Sequence, residues 1–132
     1  MIKAELVIAI HELLIEKQDG IHGIRDSKGL ESAITRPFMI FDQQELYPTS
    51  ILKAAALIES LVNNHTFLDG NKRIGYVIMR YFLLQNKLDI HATQSEKYDF
   101  VMRIATGQIQ FDQISEWIEG NISGNQEKLE KF

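Results

Sequence analysis

The sequence predicts an all-α fold, a compact single-domain bundle of about six helices. Its 132 residues suit one domain with its own core. Between the glycine and proline positions, the apolar residues mostly recur at helical spacing. No stretch alternates clearly as a strand does, and residues 88–90 are the one short candidate for extended chain. With 45% hydrophobic and 24% charged residues, the composition excludes disordered, collagenous and coiled-coil proteins.

The first predicted helix covers residues 4–17, and a loop over residues 20–28 follows it. A short helix over residues 30–35 ends before Pro37, because the residue preceding a proline tends to leave the helical region. The next connection carries apolar residues without a regular period, so no element is predicted there. The residues expected to face inward from the first helix are Leu6, Val7, Ile10, Leu13 and Leu14.

A hydroxyl at Thr49 or Ser50 can cap the start of a helix over residues 51–64. This helix is apolar over most of its surface and is predicted to be the buried, central one. A short turn over residues 65–70 separates it from a helix over residues 71–86.

Thr93 and Glu96 form a capping box pattern, which predicts a helix that ends at Gly107. A last short helix begins at Asp112 and is expected to close at Gly120. We therefore predict one domain over residues 1–121, followed by a polar tail over residues 122–132.

Charge and composition exclude several classes of function. The net charge is −4 and no run of lysine or arginine occurs, so nucleic acid is not an expected partner. The absence of cysteine excludes disulfides, thiolate metal sites and a cysteine nucleophile. The N-terminus lacks the apolar segment of a signal peptide, and the most apolar window, residues 51–62, is too short to cross a bilayer. We expect a soluble, cytoplasmic protein without a membrane partner.

The turn between the two long helices has the features of an anion site. A helix that begins near Gly70 or Asn71 points unpaired N–H groups into the turn, and its N-terminal end attracts anions. Gly70 lets a phosphate approach the backbone closely. Lys72 and Arg73 place two cations where the helix dipole disfavours them. Such a conflict between function and local stability is typical of a functional site.

Two further residues of this turn suit chemistry on a phosphate. Asp69 is a carboxylate beside the anion site, the usual protein ligand for Mg²⁺ on a nucleotide. His65, four residues earlier, is a candidate general base. Taken singly, His65 also suits a helix C-cap, Asp69 an N-cap, and the two cations a solvated face. Together, these residues predict a site for transfer from a nucleoside triphosphate.

Other nucleotide and metal motifs do not fit. Gly70 and Gly75 have the outer spacing of a phosphate-binding P-loop, but Tyr76 and Val77 stand where it requires Lys and Ser/Thr. No His-Glu-x-x-His zinc signature occurs. The chain is also too short for a protein-kinase fold and has none of its motifs.

Residues 65–73 read His-Thr-Phe-Leu-Asp-Gly-Asn-Lys-Arg, which resembles the core motif of the Fic/Doc family. The Doc (death-on-curing) pattern, His-x-Phe-x-(Asp/Asn)-Ala-Asn-Lys-Arg, is matched at every specified position except Gly70. The Fic pattern is His-Pro-Phe-x-(Asp/Glu)-Gly-Asn-Gly-Arg-x-x-Arg, and Tyr76 stands at its second arginine. Residues 23–33 also resemble the segment upstream of the Doc motif, and the helical order and the length suit Doc across nearly the whole chain.

The resemblance to Doc implies the toxin of a bacterial toxin–antitoxin system. Such a toxin transfers the γ-phosphate of ATP, with Mg²⁺, to a threonine or serine of elongation factor Tu and so inhibits translation. A cognate antitoxin is then an expected partner. In the Fic branch a glycine leaves room for the α/β-phosphates. Here Lys72 would fill that room, so that the nucleotide binds reversed and presents its γ-phosphate.

The resemblance also implies a role for each motif residue. His65 would take the proton of the target hydroxyl, and Asp69 would hold Mg²⁺. Arg73 would clamp phosphate oxygens with its forked donors. The phosphate site itself would be lined by Gly70, Asn71 and Lys72.

Several alternatives stay open. Gly70 is the Fic choice, which favours a Fic-type AMP transferase, and a non-catalytic regulatory module is a third possibility. Ser115, Glu119 and Gly120 resemble a self-inhibitory helix whose glutamate pairs with the motif arginine, although an ordinary last helix has the same pattern. The loop of residues 20–29 is either a flap for an extended target segment or a plain connection.

Overall fold

The computed structural model describes residues 1–124, and this part of the chain confirms the all-α prediction with six helices. Four very short strands and a 3-10 turn, Arg36–Phe38, complete it. The strands are β1 (Ile40–Phe41), β2 (Gln44–Glu45), β3 (Leu88–Ile90) and β4 (Ile122–Gly124). The helices are α1 (Ala4–Gln18), α2 (Ser27–Thr35), α3 (Ser50–Asn63), α4 (Asn71–Gln85), α5 (Gln94–Ala105) and α6 (Phe111–Asn121).

Helix α3 is the centre of the core, as its composition predicts. It packs against α2, α4, α5 and α6, and its residues 54–58 are all buried. Helix α4 lies especially close, because Gly75 is buried against Val62. A Cβ at position 75 would come within 2.7 Å of Val62 Cγ2, a distance at which the Val62 side chain or a helix would have to shift. The close packing of α3 and α4 sets the geometry of the turn that joins them.

The predicted helix ends are confirmed where a local signal exists. Thr49 accepts a hydrogen bond from Leu52 N–H at 3.1 Å, and Thr93 and Glu96 form the predicted capping box at the start of α5. Gly107 follows α5 in the left-handed region, with φ +76°. Helix α2 begins three residues before its predicted start, because the Asp26 side chain accepts from Gly29 N–H at 3.0 Å and caps it.

The inward face of α1 differs from the prediction. Leu13 is 61% exposed, so its assignment to the core is wrong. The predicted Val7 is buried, and Ile10 and Leu14 pack against the core. The fully buried stripe continues from Val7 through His11 and Ile15, each one helical turn from the next. His11, a polar residue left out of the apolar pattern, belongs to this stripe because its ring is buried against Phe67.

The chain after α6 also differs from the prediction. Gly120 does not close the helix, which continues to Asn121 and passes directly into β4. Strand β4 pairs antiparallel with β3, and Asn121 O accepts from His91 N–H at 2.6 Å. The predicted tail therefore begins with a paired strand, and its residues 125–132 lie outside the described part of the chain.

The connection before α3, for which no element is predicted, contains a β-hairpin, β1–β2. Each of its strands has two residues. Its turn residues, Asp42 and Gln43, both have positive φ, at 51° and 64°. Hairpin turns of this kind match the twist of the strands and usually carry glycine or asparagine. Since the two turn positions carry neither glycine nor asparagine, the sequence does not predict the hairpin.

The β3 strand provides a test of pH dependence. Arg80 Nε and Nη2 donate to Asp89 Oδ1 and Oδ2 at 2.8 and 3.0 Å, and this pairing holds the pKa of Asp89 below its ordinary value. A depressed carboxyl pKa stabilises the fold above the unfolded pKa, near 4, and this contribution is lost as the pH falls through the folded pKa. Both side chains are partly exposed, so we expect Asp89→Asn to cost no more than about 1 kcal/mol at pH 7.

Urea unfolding of both proteins from pH 7 down to pH 2 measures this effect. The difference in unfolding free energy between the native protein and Asp89→Asn should shrink toward zero in acid. A difference that persists unchanged at the lowest pH would show that the ion pair is not its source.

Within residues 1–124, no helix combines the length and the apolar character that a bilayer crossing requires.

Candidate active site

The turn between α3 and α4 alternates between buried and exposed residues. Thr66 and Phe67 are fully buried, whereas His65 and Asp69 are exposed on the surface. His65 adopts the left-handed region with φ +51°, which turns the chain sharply at the end of α3. The buried pair therefore anchors the turn in the core, while the predicted base His65 and the predicted Mg²⁺ ligand Asp69 are exposed.

Asn71, the first residue of α4, stabilises this turn through its side-chain amide. Its side-chain Oδ1 accepts from Phe67 N–H at 3.0 Å, and its Nδ2 donates to Phe67 O at 2.9 Å. Because both ends of the amide bind the backbone of Phe67, the side chain has a structural role. The group that Asn71 offers to a phosphate is its backbone N–H.

The loop after α1 lies along the same turn and pairs with it. Arg25 and Asp26 N–H donate to Thr66 O at 2.7 and 3.0 Å, and Leu68 N–H donates to Gly23 O at 3.1 Å. These bonds form a short antiparallel bridge between Ile24 and Phe67. This part of the 20–29 loop therefore holds the turn in place, and a role as a flap for a target stays a prediction.

Thr66 offers a test of how tightly the turn is packed. Its hydroxyl is buried and has no hydrogen bond partner among the described residues. A buried hydroxyl without a partner costs free energy, so we expect Thr66→Val to raise the free energy of unfolding by about 1 kcal/mol. Thermal unfolding measures this change. A clear loss of stability would show that the hydroxyl has a partner, such as a bound water.

Helix α1 supplies a contact to the turn that the sequence analysis missed. His11 is 2% exposed, its ring stacks on Phe67 at a centroid distance of 3.7 Å, and its Nε2 lies 2.7 Å from Asp69 O. A carbonyl oxygen only accepts, so Nε2 carries the proton and donates to it. The only signal in the sequence is a histidine within the helical stripe of Val7 and Ile15.

The carboxylate of Asp69 is held by the loop that follows α1. Ile21 N–H donates to Asp69 Oδ2 at 3.1 Å. A Cβ at Gly20 would lie 2.8 Å from the same oxygen, so a side chain there would push the carboxylate away. The second carboxylate oxygen, Oδ1, has no hydrogen bond among the described residues and faces outward with the exposed side chain.

Gln18, at the end of α1, contacts the motif arginine. With its amide oxygen turned toward the guanidinium, Gln18 accepts from Arg73 Nε and Nη2 at 2.7 Å each, and Nη1 is also in contact. The forked donors of Arg73 that suit a phosphate therefore meet an amide in this structure. Gln18 is the second α1 residue at the site that the sequence analysis missed.

The start of α4 has the features of an anion site. No side chain caps it, and its first backbone hydrogen bond joins Ile74 N–H to Gly70 O at 2.9 Å. The N–H groups of residues 71–73 have no acceptor within residues 1–124. Lys72 and Arg73 are both exposed in this first turn. Free N–H groups, the helix dipole and two cations together favour a bound anion.

Gly70 is required by the backbone and by packing. It lies at φ +80°, in the left-handed region that residues with a side chain rarely adopt. A Cβ at this position would also lie 3.0 Å from Ile15 Cδ1 and 3.5 Å from His11 Nε2. The glycine is thus explained by the contact of the turn with α1, without reference to a nucleotide.

Two clefts meet at residues 69–72, which line both. The first, of about 310 Å³, brings His65 together with Asp69, Gly70, Asn71 and Lys72. The second, of about 390 Å³, also contains Arg73, Gln18 and one face of α5. The predicted site residues are therefore one cluster, in which His65 and Arg73 line different clefts.

The residues present suit a metal held jointly with a ligand. No group of three or more His, Asp or Glu side chains that could hold a metal occurs among the described residues. Asp69 instead offers one carboxylate oxygen without a hydrogen bond among the described residues, beside the uncapped start of α4. This arrangement suits Mg²⁺, which takes one or two carboxylates and completes its coordination with phosphate oxygens and water.

Glu119 does not lie at this site. It lines a separate cleft with residues 49–52, Leu88 and Ser115, beside the start of α3. The motif turn follows the opposite end of α3. A self-inhibitory pair of Glu119 with Arg73 is therefore not formed in this structure. The Arg73 guanidinium donates to the amide oxygen of Gln18 instead.

Fold and site together define a small helical protein with an exposed, uncapped helix N-terminus at the predicted motif. The chain belongs to the Fic/DOC family, in its Doc branch: the profile of that family matches residues 1–83. The chain is also 33% identical over 101 residues to Toxin Doc of Mycolicibacterium smegmatis (strain ATCC 700084 / mc(2)155), which covers 74% of this chain and 76% of that protein. The family is one of transferases, which typically use nucleotide substrates.

Proposed function

We propose that the chain is a Doc-type toxin that transfers the γ-phosphate of ATP to a threonine or serine hydroxyl of elongation factor Tu and so inhibits translation. The observation that carries this proposal is the uncapped start of α4, with Lys72 and Arg73, next to the cleft that contains His65. The similarity to Toxin Doc supports the toxin class.

The mechanism rests on position and charge. The target hydroxyl enters the 310 Å³ cleft, where His65 takes its proton as the oxygen attacks the γ-phosphorus. The bond from γ-phosphorus to the bridging oxygen breaks, and ADP leaves with that oxygen. The N–H groups at the start of α4, with Lys72 and Arg73, bind the phosphate oxygens. Asp69 would hold Mg²⁺, which neutralises phosphate charge when bound.

Lys72 decides between the two transfer reactions in this proposal. A lysine in the first turn of α4 occupies space that a glycine would leave open for further phosphates, and it places a cation beside the transferred group. Gly70, the residue that favours AMP transfer by resemblance, is already explained by its φ of +80° and by Ile15. Phosphoryl transfer is therefore the better supported reaction.

A toxin of this class requires a partner that blocks its site. We propose a cognate antitoxin that covers the motif turn and its two clefts, which are open on the described surface. The exposed cations Lys72 and Arg73 favour an acidic segment in such a partner.

The deciding experiment incubates the protein with Mg²⁺, ATP and elongation factor Tu and measures the mass of the target. A gain of about 80 Da indicates phosphoryl transfer and supports the proposal. A gain of about 329 Da indicates AMP transfer and would overturn the interpretation of Lys72. No change in mass would contradict elongation factor Tu as the target. His65→Asn serves as the inactive control, and His91→Asn, an exposed histidine beside β3, serves as the matched active one.

A further inference from the structure

We propose that Gln18 competes with phosphate for the Arg73 guanidinium and so sets the affinity of the site for its nucleotide. This inference rests on the proposed function, in which Arg73 binds phosphate oxygens. Nucleotide binding would exchange the amide oxygen of Gln18 for those oxygens. Gln18 is then a positioning residue, which acts on the phosphate through Arg73 and belongs to α1 rather than to the motif turn.

A single acceptor oxygen meets the forked donors of Arg73. With the Gln18 amide oxygen turned toward it, Arg73 donates from Nε and Nη2 at 2.7 Å each, and Nη1 is also in contact. A guanidinium usually directs these N–H groups at two oxygens of one carboxylate or phosphate. One oxygen cannot lie along all of these N–H directions at once. A phosphate offers several oxygens, so it satisfies the donors of Arg73 better than Gln18 does.

The contact with Gln18 leaves the charge of Arg73 without a counter-charge. Arg36, Arg80 and Arg103 each form a salt bridge with a carboxylate, whereas Arg73 forms none within residues 1–124. Because an amide is neutral, a phosphate that displaces it breaks no ion pair and meets the whole positive charge. A carboxylate at position 18 would instead pair with Arg73 and repel the phosphate. The neutral side chain therefore allows the exchange that nucleotide binding requires.

The backbone around Gln18 is tied to the motif turn. Before Gln18 in the chain, His11 Nε2 donates to Asp69 O at 2.7 Å, and after it, Ile21 N–H donates to Asp69 Oδ2 at 3.1 Å. Gln18 and Arg73 also line the same cleft of about 390 Å³. The Gln18 side chain itself is exposed, so it can move into solvent when phosphate binds, while these backbone contacts remain.

Calorimetric titration with inorganic tripolyphosphate and with ATP, each with Mg²⁺, tests the competition. Gln18→Met removes the acceptor and keeps the length of the side chain. We expect it to bind both probes about threefold to tenfold more tightly than the native protein. Gln18→Glu should bind both about threefold to tenfold more weakly, because its carboxylate pairs with Arg73. Thermal unfolding should show native stability for both variants, since the side chain is exposed.

Gln85 provides the matched control, because it is the last residue of α4 as Gln18 is the last residue of α1. It is exposed and is not among the residues that line the two clefts at the motif turn. Gln85→Met and Gln85→Glu should therefore bind both probes with native affinity.

The direction of the change in affinity decides between competition and support. If Gln18 only held Arg73 in place for the phosphate, Gln18→Met would bind both probes more weakly than the native protein, and the proposal would be wrong. Native affinity in Gln18→Met would also overturn it, as would a failure of the native protein and Gln18→Met to bind either probe. Tighter binding by Gln18→Met without transfer to elongation factor Tu would count against the proposed function alone.

Discussion

Replacing His65 with asparagine is expected to slow transfer to the target hydroxyl by about 10²–10⁴-fold while the fold stays intact. The reason is that the proposed base would be lost, whereas the anion site at the start of α4 would remain. Asparagine is the suitable replacement because it tolerates the left-handed backbone at this position, where φ is +51°. The His65 side chain is exposed and makes no hydrogen bond to other described residues, so its loss should cost little stability.

Single-turnover rates with saturating ATP measure the effect on the chemical step, and thermal unfolding confirms that the variant is folded. The His91→Asn control should transfer at the native rate. That result would show that the slower transfer depends on losing the histidine at position 65 and not on losing any exposed histidine. A His65→Asn protein that keeps more than a tenth of the native rate would rule out His65 as the base.

The second large effect is expected at His11, which is far from His65 in sequence but beneath the same turn. His11→Ala removes a ring stacked on Phe67 and the donor to Asp69 O, and it leaves a cavity in the core. We expect a loss of about 2–4 kcal/mol in the free energy of unfolding. Transfer should fall as well, because Asp69 and Gly70 are no longer held against α1. Urea unfolding and the transfer assay measure the two effects.

His11→Phe separates packing from hydrogen bonding. Phenylalanine retains a flat ring against Phe67 but cannot donate to Asp69 O. We expect a smaller loss of stability, about 1–3 kcal/mol, with transfer still reduced. If His11→Phe were as stable and as active as the native protein, the hydrogen bond to Asp69 would have no role in the site.

The relation between sequence and structure is clearest at the helix ends. Thr49, Thr93 and Glu96 cap their helices as predicted, because a cap joins residues that are three positions apart. The β1–β2 hairpin was not predicted because Asp42 and Gln43 adopt its positive φ angles without the glycine that normally marks them. Gly120 was misassigned because the pairing of β4 with β3, rather than the local sequence, sets the end of α6.

The candidate site also divides into residues that near neighbours in sequence predict and residues that only distant contacts bring together. Its outward residues could be predicted together, because all of residues 65–73 lie in one turn and the start of one helix. The residues that hold them in place could not, because His11 reaches Asp69 across 58 positions and Ile21 does so across 48. Gln18 at Arg73 belongs to the same group of long-range contacts.

By itself, the sequence determined the helical class, the buried position of α3 and the chemical groups of the motif turn. These features depend on composition, periodicity and interactions between near neighbours, which a linear chain already contains. Only the tertiary structure decided which face of α1 is buried, how His65 and Arg73 divide between two clefts, and that α5 lies beside Tyr76. Those features arise from the packing of distant helices around one core, where each side chain takes the space that its neighbours leave.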